Sequence, residues 1–135
     1  MSFAKIVILY FSSLAVFFAI DLLWLGVISK NFYSAQLGHL LAAKANWIPA
    51  LIFYLLFIAG ILVFVVIPGI EGGSLLKTAL MAALFGLVCY ATYDLTNMAT
   101  IKSWPVIVTV VDLIWGMFIS TSVAVIAYYI GRMLI

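Results

Sequence analysis

Four apolar runs, each long enough to cross a bilayer as a helix, fill most of this chain. A hydrocarbon core ~30 Å thick takes roughly 20 apolar residues of helix, and the stretches at about 6–28, 47–67, 75–97 and 105–130 meet that length. The bilayer core offers no water to free backbone groups, so each run must satisfy its own N–H and C=O groups by coiling into a helix. The pattern predicts an all-α membrane protein, a four-transmembrane-helix bundle forming a single domain over residues 1–135. Charge content agrees, because six basic and four acidic residues make up only 7% of the chain, against about 25% in soluble proteins. A net charge of +2 is too small to draw nucleic acid. One cysteine, Cys89, excludes an intramolecular disulfide, and with a single histidine, His39, too few soft ligands remain for a zinc or haem site. No metal and no cofactor is expected.

The first run is too long for a signal-peptide core and ends without an Ala-x-Ala site, so it reads as a retained span. The second carries no charge, opens with Asn46 as an N-cap and Pro49 in the first turn, and is expected to stop at Pro68-Gly69. Lacking any polar group to bury, it is expected to be the most lipid-exposed helix. Ser74 caps the third run, and Ser103-Trp104-Pro105 opens the fourth. The two short connections make their flanking helices antiparallel neighbours. The longer connection, 29–46, keeps Phe32, Tyr33, Leu37, Leu40 and Leu41 on a helical stripe and Lys30, Asn31, Ser34, His39 and Lys44 elsewhere. It is assigned to a short interfacial helix lying in the headgroup layer, in preference to an ordinary loop with chance periodicity, although Gly38 weakens the helix.

Three of the four acids, Asp21, Asp94 and Asp112, lie within spans, although each costs roughly 2.5–3.5 kcal/mol to insert at a helix centre. Their depths are comparable. Asp21 stands seven residues before the end of the first span and Asp112 about seven after the start of the fourth, each about 10 Å in at ~1.5 Å per residue; Asp94 is about 5 Å from the end of the third. Those three ends share one membrane side, so the carboxyls fall in one layer beneath Lys30, Lys44, Lys102 and His39. Trp24, Tyr90, Asn97 and Trp115 stand three or four residues from an Asp, at helical spacing, with Tyr93 and Trp104 at similar depth. Such groups can bond a carboxyl or stack on a cation, or they anchor at the interface as an aromatic belt. The acids themselves form either a ligand site or a buried network locking helices. His39 reads as an interfacial polar residue, Cys89 as a small buried apolar one, and Lys30 and Lys102 as flanking charges kept in view by their position.

On the fourth span Thr109, Asp112, Gly116, Ser120 and Ala124 share a stripe of small and polar residues suited to close packing, with Gly86, Tyr90 and Asn97 the facing set on the third. Asp21-Leu22-Leu23-Trp24 recurs as Asp112-Leu113-Ile114-Trp115. An inverted repeat would put the two acids at opposite depths, so the recurrence reads as local similarity.

The segment Tyr90-Ala91-Thr92-Tyr93-Asp94-Leu95-Thr96-Asn97-Met98-Ala99-Thr100, followed by Lys102, Trp104 and Pro105, resembles the most distinctive stretch of a bacterial membrane-protein family known as domain of unknown function 2177. Asp112-x-x-Trp115-Gly116 and the Asp21 to Trp24 region are similar to it as well. The resemblance implies a compact bacterial inner-membrane protein with no activity to carry over, in a genetic setting of fatty-acyl modification that favours a lipid ligand.

The functional expectation is a site open toward one leaflet that binds a lipid or small amphiphile, and carries out acid-base chemistry on it. Asp94 is the expected general acid or base, with Asp112 its partner and Asp21 a third acid or positioning group; neighbouring carboxyls in low dielectric do not all ionise, which supplies an acid and a base together. Tyr90, Tyr93, Asn97, Trp24, Trp115, Lys30 and Lys102 are the expected binding residues. The competing classes are a proton-coupled exporter of small cations, completed by a homodimer, and a noncatalytic scaffold of a lipid-modifying enzyme. Lys and Arg divide three against three between the two sides, so only the free amino group tips the N-terminus toward the cytoplasm.

Overall fold

A computed structural model describes residues Met1–Ile135 and is built of helices without strands. Four helices are long and apolar enough to cross a membrane: α1 (Phe3–Ile28), α3 (Trp47–Gly72), α4 (Leu75–Thr100) and α5 (Val106–Leu134). A short helix, α2 (Lys30–Leu37), follows α1. It covers only the first half of the connection assigned to an interfacial helix. Gly38 caps it, and Leu40, Leu41 and Lys44 fall in turns and irregular chain.

Local chemistry sets the ends. Ser2 Oγ accepts from Lys5 N at 3.4 Å to open α1, Asn46 Oδ1 accepts from Ile48 N at 3.2 Å to open α3, and Ser74 Oγ accepts from Lys77 N at 3.1 Å to open α4. At its far end α1 widens to a π-turn over Trp24–Ile28, where the Ser29 amide and hydroxyl both donate to the Trp24 carbonyl, at 2.8 and 2.7 Å.

The expectation that the second span stops at Pro68-Gly69 is corrected, since helix continues to Gly72. Proline lacks an N–H and its ring crowds the carbonyl four residues back, here that of Phe64. A π-turn over Leu62–Val66 lies just before it, with the Ile67 N–H reaching back to the Leu62 carbonyl, and the wider turn accommodates the ring. The helix ends at Gly73, whose φ of 68° is the left-handed conformation glycine adopts without penalty. Gly69 lets the Thr78 side chain pack where a Cβ would stand, which closes the α3–α4 turn tightly.

The same helix corrects a second expectation. α3 is not the most lipid-exposed span: 39% of its apolar 18-residue stretch is buried, against 17% for that of α4. Lipid tails are as apolar as leucine, so an absence of polar groups does not tell a lipid-facing helix from a packed one. Phe57, Ile58, Ile61, Leu62, Val65, Val66 and Ile70 of α3 meet Leu9 and Phe17 of α1 and Ile119, Val123, Ala124 and Ala127 of α5 in the central cluster. Phe17 sits 5.2 Å from Phe57 and 5.3 Å from Tyr54 between ring centres, and Tyr10 donates to the Leu55 carbonyl at 2.9 Å.

α4 and α5 make the most extensive contact in the molecule. A Cβ on Gly86 would meet the Gly116 carbonyl and Ser120 Oγ, and one on Gly116 would meet the Tyr90 ring, so the two backbones touch because both residues lack side chains. Thr109, Asp112, Gly116, Ser120 and Ala124 are all buried along that seam.

Candidate functional site

All four spans and α2 contribute to one cavity of about 740 Å³, within the size range of small-molecule sites. Twelve of its 17 lining residues are hydrophobic, and its charged residues are Asp21, Asp94, Asp112 and Lys30. The three acids, counted to similar depths from their helix ends, line this one cavity. Trp24, Lys30, Tyr90, Tyr93 and Trp115 also line it; Asn97 and Lys102 do not. Asn97 is half-buried beside the cavity, and Lys102 is exposed in the α4–α5 turn.

Within the cavity the acids fall into two groups. Asp21, 5% exposed, accepts from the Tyr54 hydroxyl at 2.9 Å, with the Trp115 indole nearby. Asp112 accepts from the Tyr33 hydroxyl, which in turn accepts from Trp24 Nε1 at 3.3 Å. Burial, and then the adjoining Asp112, hold the Tyr33 phenol well above its ordinary range, so it keeps its proton and acts as a donor. Asp94 lies beside Asp112 and is fully buried, yet neither of its carboxyl oxygens has a hydrogen-bond donor. The Trp115 indole N–H is likewise buried without a partner. Unsatisfied buried groups are costly, and here an acceptor pair and a donor stand in the walls of one cavity.

Trp24 and Trp115, the ends of the recurring Asp-Leu-x-Trp segments, stack with centroids 4.4 Å apart and planes 10° apart. Helical side chains tilt toward the N-terminus of their own helix. On α1 that tilt carries Trp24 inward, and on the antiparallel α5 it carries Trp115 outward, so the rings meet although their Cα atoms differ in depth. The same tilt carries Asp21 inward and Asp112 outward, which parts them into the two groups. Tyr90 stands between, close to both Asp21 and Asp112.

Tyr33 and Tyr54 supply the donors to two acids, and neither is among the site residues expected from the sequence. The depth of Tyr54 was readable, since it is seven residues into its span, the same distance from a helix end as Asp21 and Asp112, and on the same side. Tyr33 was visible only as one of the apolar residues of the α2 stripe. Trp104 belongs to a neighbouring polar chain outside the cavity, donating to Thr109 Oγ1 at 3.0 Å, which donates to the Asp94 carbonyl at 3.4 Å.

The cavity has a side between α3 and α4. α3 and α4 pack closely along Leu62–Gly72, but past the Phe57–Phe85 contact, 5.5 Å between ring centres, Ala50 and Phe53 of α3 face Cys89 and Tyr93 of α4 across the cavity. Phe53 is 45% and Tyr93 57% exposed. The Lys30–Leu41 segment forms the remaining wall toward the membrane surface.

Four apolar helices around a cavity whose mostly apolar walls carry carboxyls and phenols define a multi-pass membrane protein. The chain belongs to the family described as predicted membrane protein DUF2177, whose model matches residues 6–129. No curated protein and no solved structure matches it.

Proposed function

We propose that the protein binds a lipid headgroup or a small amphiphile in this cavity and exchanges a proton with it through Asp94 and Asp112. The observation that carries the reading is the buried Asp94 carboxyl, without a donor, beside a second carboxyl in a cavity with apolar walls. A molecule with an apolar chain and a polar end matches that division. The chain lies toward lipid between Phe53 and Tyr93, and the polar end meets the acids. Two adjacent carboxyls in low dielectric serve as an acid and a base when one holds the proton. Asp94 is then the exchanging group, Asp112 its partner, fixed by Tyr33, and Asp21, fixed by Tyr54, the positioning acid. Tyr90, Tyr93, Trp24 and Trp115 form the walls, and Lys30 stands at the rim. The protein sits in the bacterial inner membrane with its N-terminus in the cytoplasm, which turns the cavity toward the outer leaflet.

A second reading, proton-coupled export of a lipophilic cation, is favoured by the excess of three acids over one lysine in the cavity. Asp94→Asn separates the readings because it keeps the side-chain shape and removes the exchangeable proton. The variant inserts as readily as the parent, since an amide is less costly to bury than a charge. Thermal stability in detergent is measured beside total lipid profiles and cationic-dye resistance of expressing cells. A stable variant with an altered lipid profile supports chemistry on a lipid, and altered dye resistance supports export. A destabilised variant with neither change makes Asp94 a packing residue and overturns both.

A further inference from the structure

We propose that the polar end of the ligand is a primary ammonium group, an inference that rests on the cavity being an amphiphile site and names what that amphiphile carries. Asp94 is 0% exposed and lines the cavity, and both of its oxygens lack donors. Asp112 beside it has Oδ1 occupied by Tyr33. Even with one proton shared between the two carboxyls, the other Asp94 oxygen and Asp112 Oδ2 receive no donor, so the vacancy is for more than one hydrogen-bond donor. A carboxylate or phosphate placed against Asp94 and Asp112 brings only acceptors and like charge. A hydroxyl brings one donor, and a quaternary ammonium brings charge but none. A primary ammonium brings three donors and a positive charge.

The walls agree with a cation. Trp24, Trp115, Tyr90 and Tyr93 border the carboxyls, and aromatic faces attract cations, the more so when these are desolvated. Two sources carry this chemistry on an apolar chain: the ethanolamine headgroup of a phospholipid and a free long-chain amine. The first also brings a phosphate, for which Lys30 at the rim is the partner; the second brings nothing for Lys30 to bind.

The full chain, in nanodiscs of phosphatidylglycerol, is titrated with octylamine, octyltrimethylammonium, octanol and octanoate. Binding is followed by the fluorescence of its tryptophans, two of which form the cavity wall. Octylamine is expected to bind at least tenfold more tightly than the other three, and Asp94→Asn to remove that margin. Phosphatidylethanolamine and phosphatidylcholine are then compared as minor lipids by native mass spectrometry. Retention of the first alone identifies a headgroup, and no preference beside tight octylamine binding identifies a free amine. Equal binding of octylamine and octyltrimethylammonium or octanol by the parent chain overturns the ammonium inference while leaving an amphiphile cavity in place. No binding of any of the four overturns both. Because the headgroup series is read on the parent chain, the test stands even where the variant fails to fold.

Discussion

Replacing Tyr54 with phenylalanine removes one oxygen and leaves the ring in its packing against Phe17, so the effect isolates the hydrogen bond to Asp21. Both partners are under a tenth exposed, and that bond, 2.9 Å long, is the one hydrogen bond the Asp21 carboxyl receives. In water-soluble proteins a bond to a charged acceptor contributes about 1.5–3 kcal/mol. Between helices in a membrane, double-mutant cycles average about 0.6 and reach about 1.7 kcal/mol, because separated helices also find partners. Unfolding in mixed micelles leaves the helices formed, so the membrane range governs, and the single carboxyl acceptor puts this bond at its upper end. Tyr54→Phe is expected to lose about 1.5 kcal/mol in reversible dodecyl-sulfate unfolding followed by tryptophan fluorescence. Asp21→Leu alone strands the Tyr54 hydroxyl and is also destabilising. The double variant replaces both partners with apolar groups and is expected to be more stable than Tyr54→Phe, since losing both sides of a buried bond can be nearly neutral. A double variant destabilised by the sum of the two single losses would refute the reasoning, because independent sites add within about 0.3–0.5 kcal/mol.

Gly86→Ala should cost about 1–3 kcal/mol in the same assay, since its methyl meets the Gly116 carbonyl. Gly72→Ala, with nothing within 4 Å of the added carbon, should stay within about 0.5 kcal/mol; equal losses at the two positions would remove the α4–α5 seam from the account. Single cysteines at Gln36 and Gly72, in a background lacking Cys89, should be labelled from opposite membrane faces, because α3 alone separates them; labelling of both from one face would mean that α3 does not cross.

The spans were legible because a bilayer demands an apolar length and intrahelical bonding, and only coiled runs of about 20 residues meet both. The depth of Asp21, Asp94 and Asp112 was legible for a related reason: antiparallel helices of fixed rise turn residue counts into a common coordinate. Rotation about each helix axis was harder to read. In water, an apolar face marks the core, whereas in lipid the outward face is apolar as well, so the packing of α3 and the inward turn of Tyr54 left little trace. Asn97 shows the converse. Three residues from Asp94 puts it on a neighbouring face, but a further turn toward the helix end carries it past the cavity. The run through Pro68 was hidden because a proline stop is a local rule, and a π-turn one turn earlier relaxes the clash behind it.

Connection lengths explain why the cavity lies at one end. Gly73 and Ser74 alone join α3 to α4, and Gly69 seats Thr78 beside them, so those two helices are pinned together at that end. There the bundle interior is filled by Ile61, Leu62, Val65, Val66 and Ile70, and Gly131 admits the Ile70 side chain. At the other end α3 is tied to α1 through residues 38–46 and the short α2, and α4 is tied to α5, but nothing ties α3 to α4. The pair is free to part there, and it does so where the carboxyls lie. Dry packing at the pinned end supplies rigidity, and on the proposed amphiphile reading the side opening at the free end is the route by which a ligand would reach Asp94. Shortening the α2 connection would pull α3 toward α1 and narrow the cavity, while the Gly73-Ser74 turn sets only the packed end. Cavity position therefore follows from which helices the chain joins tightly and which it leaves on a longer tether.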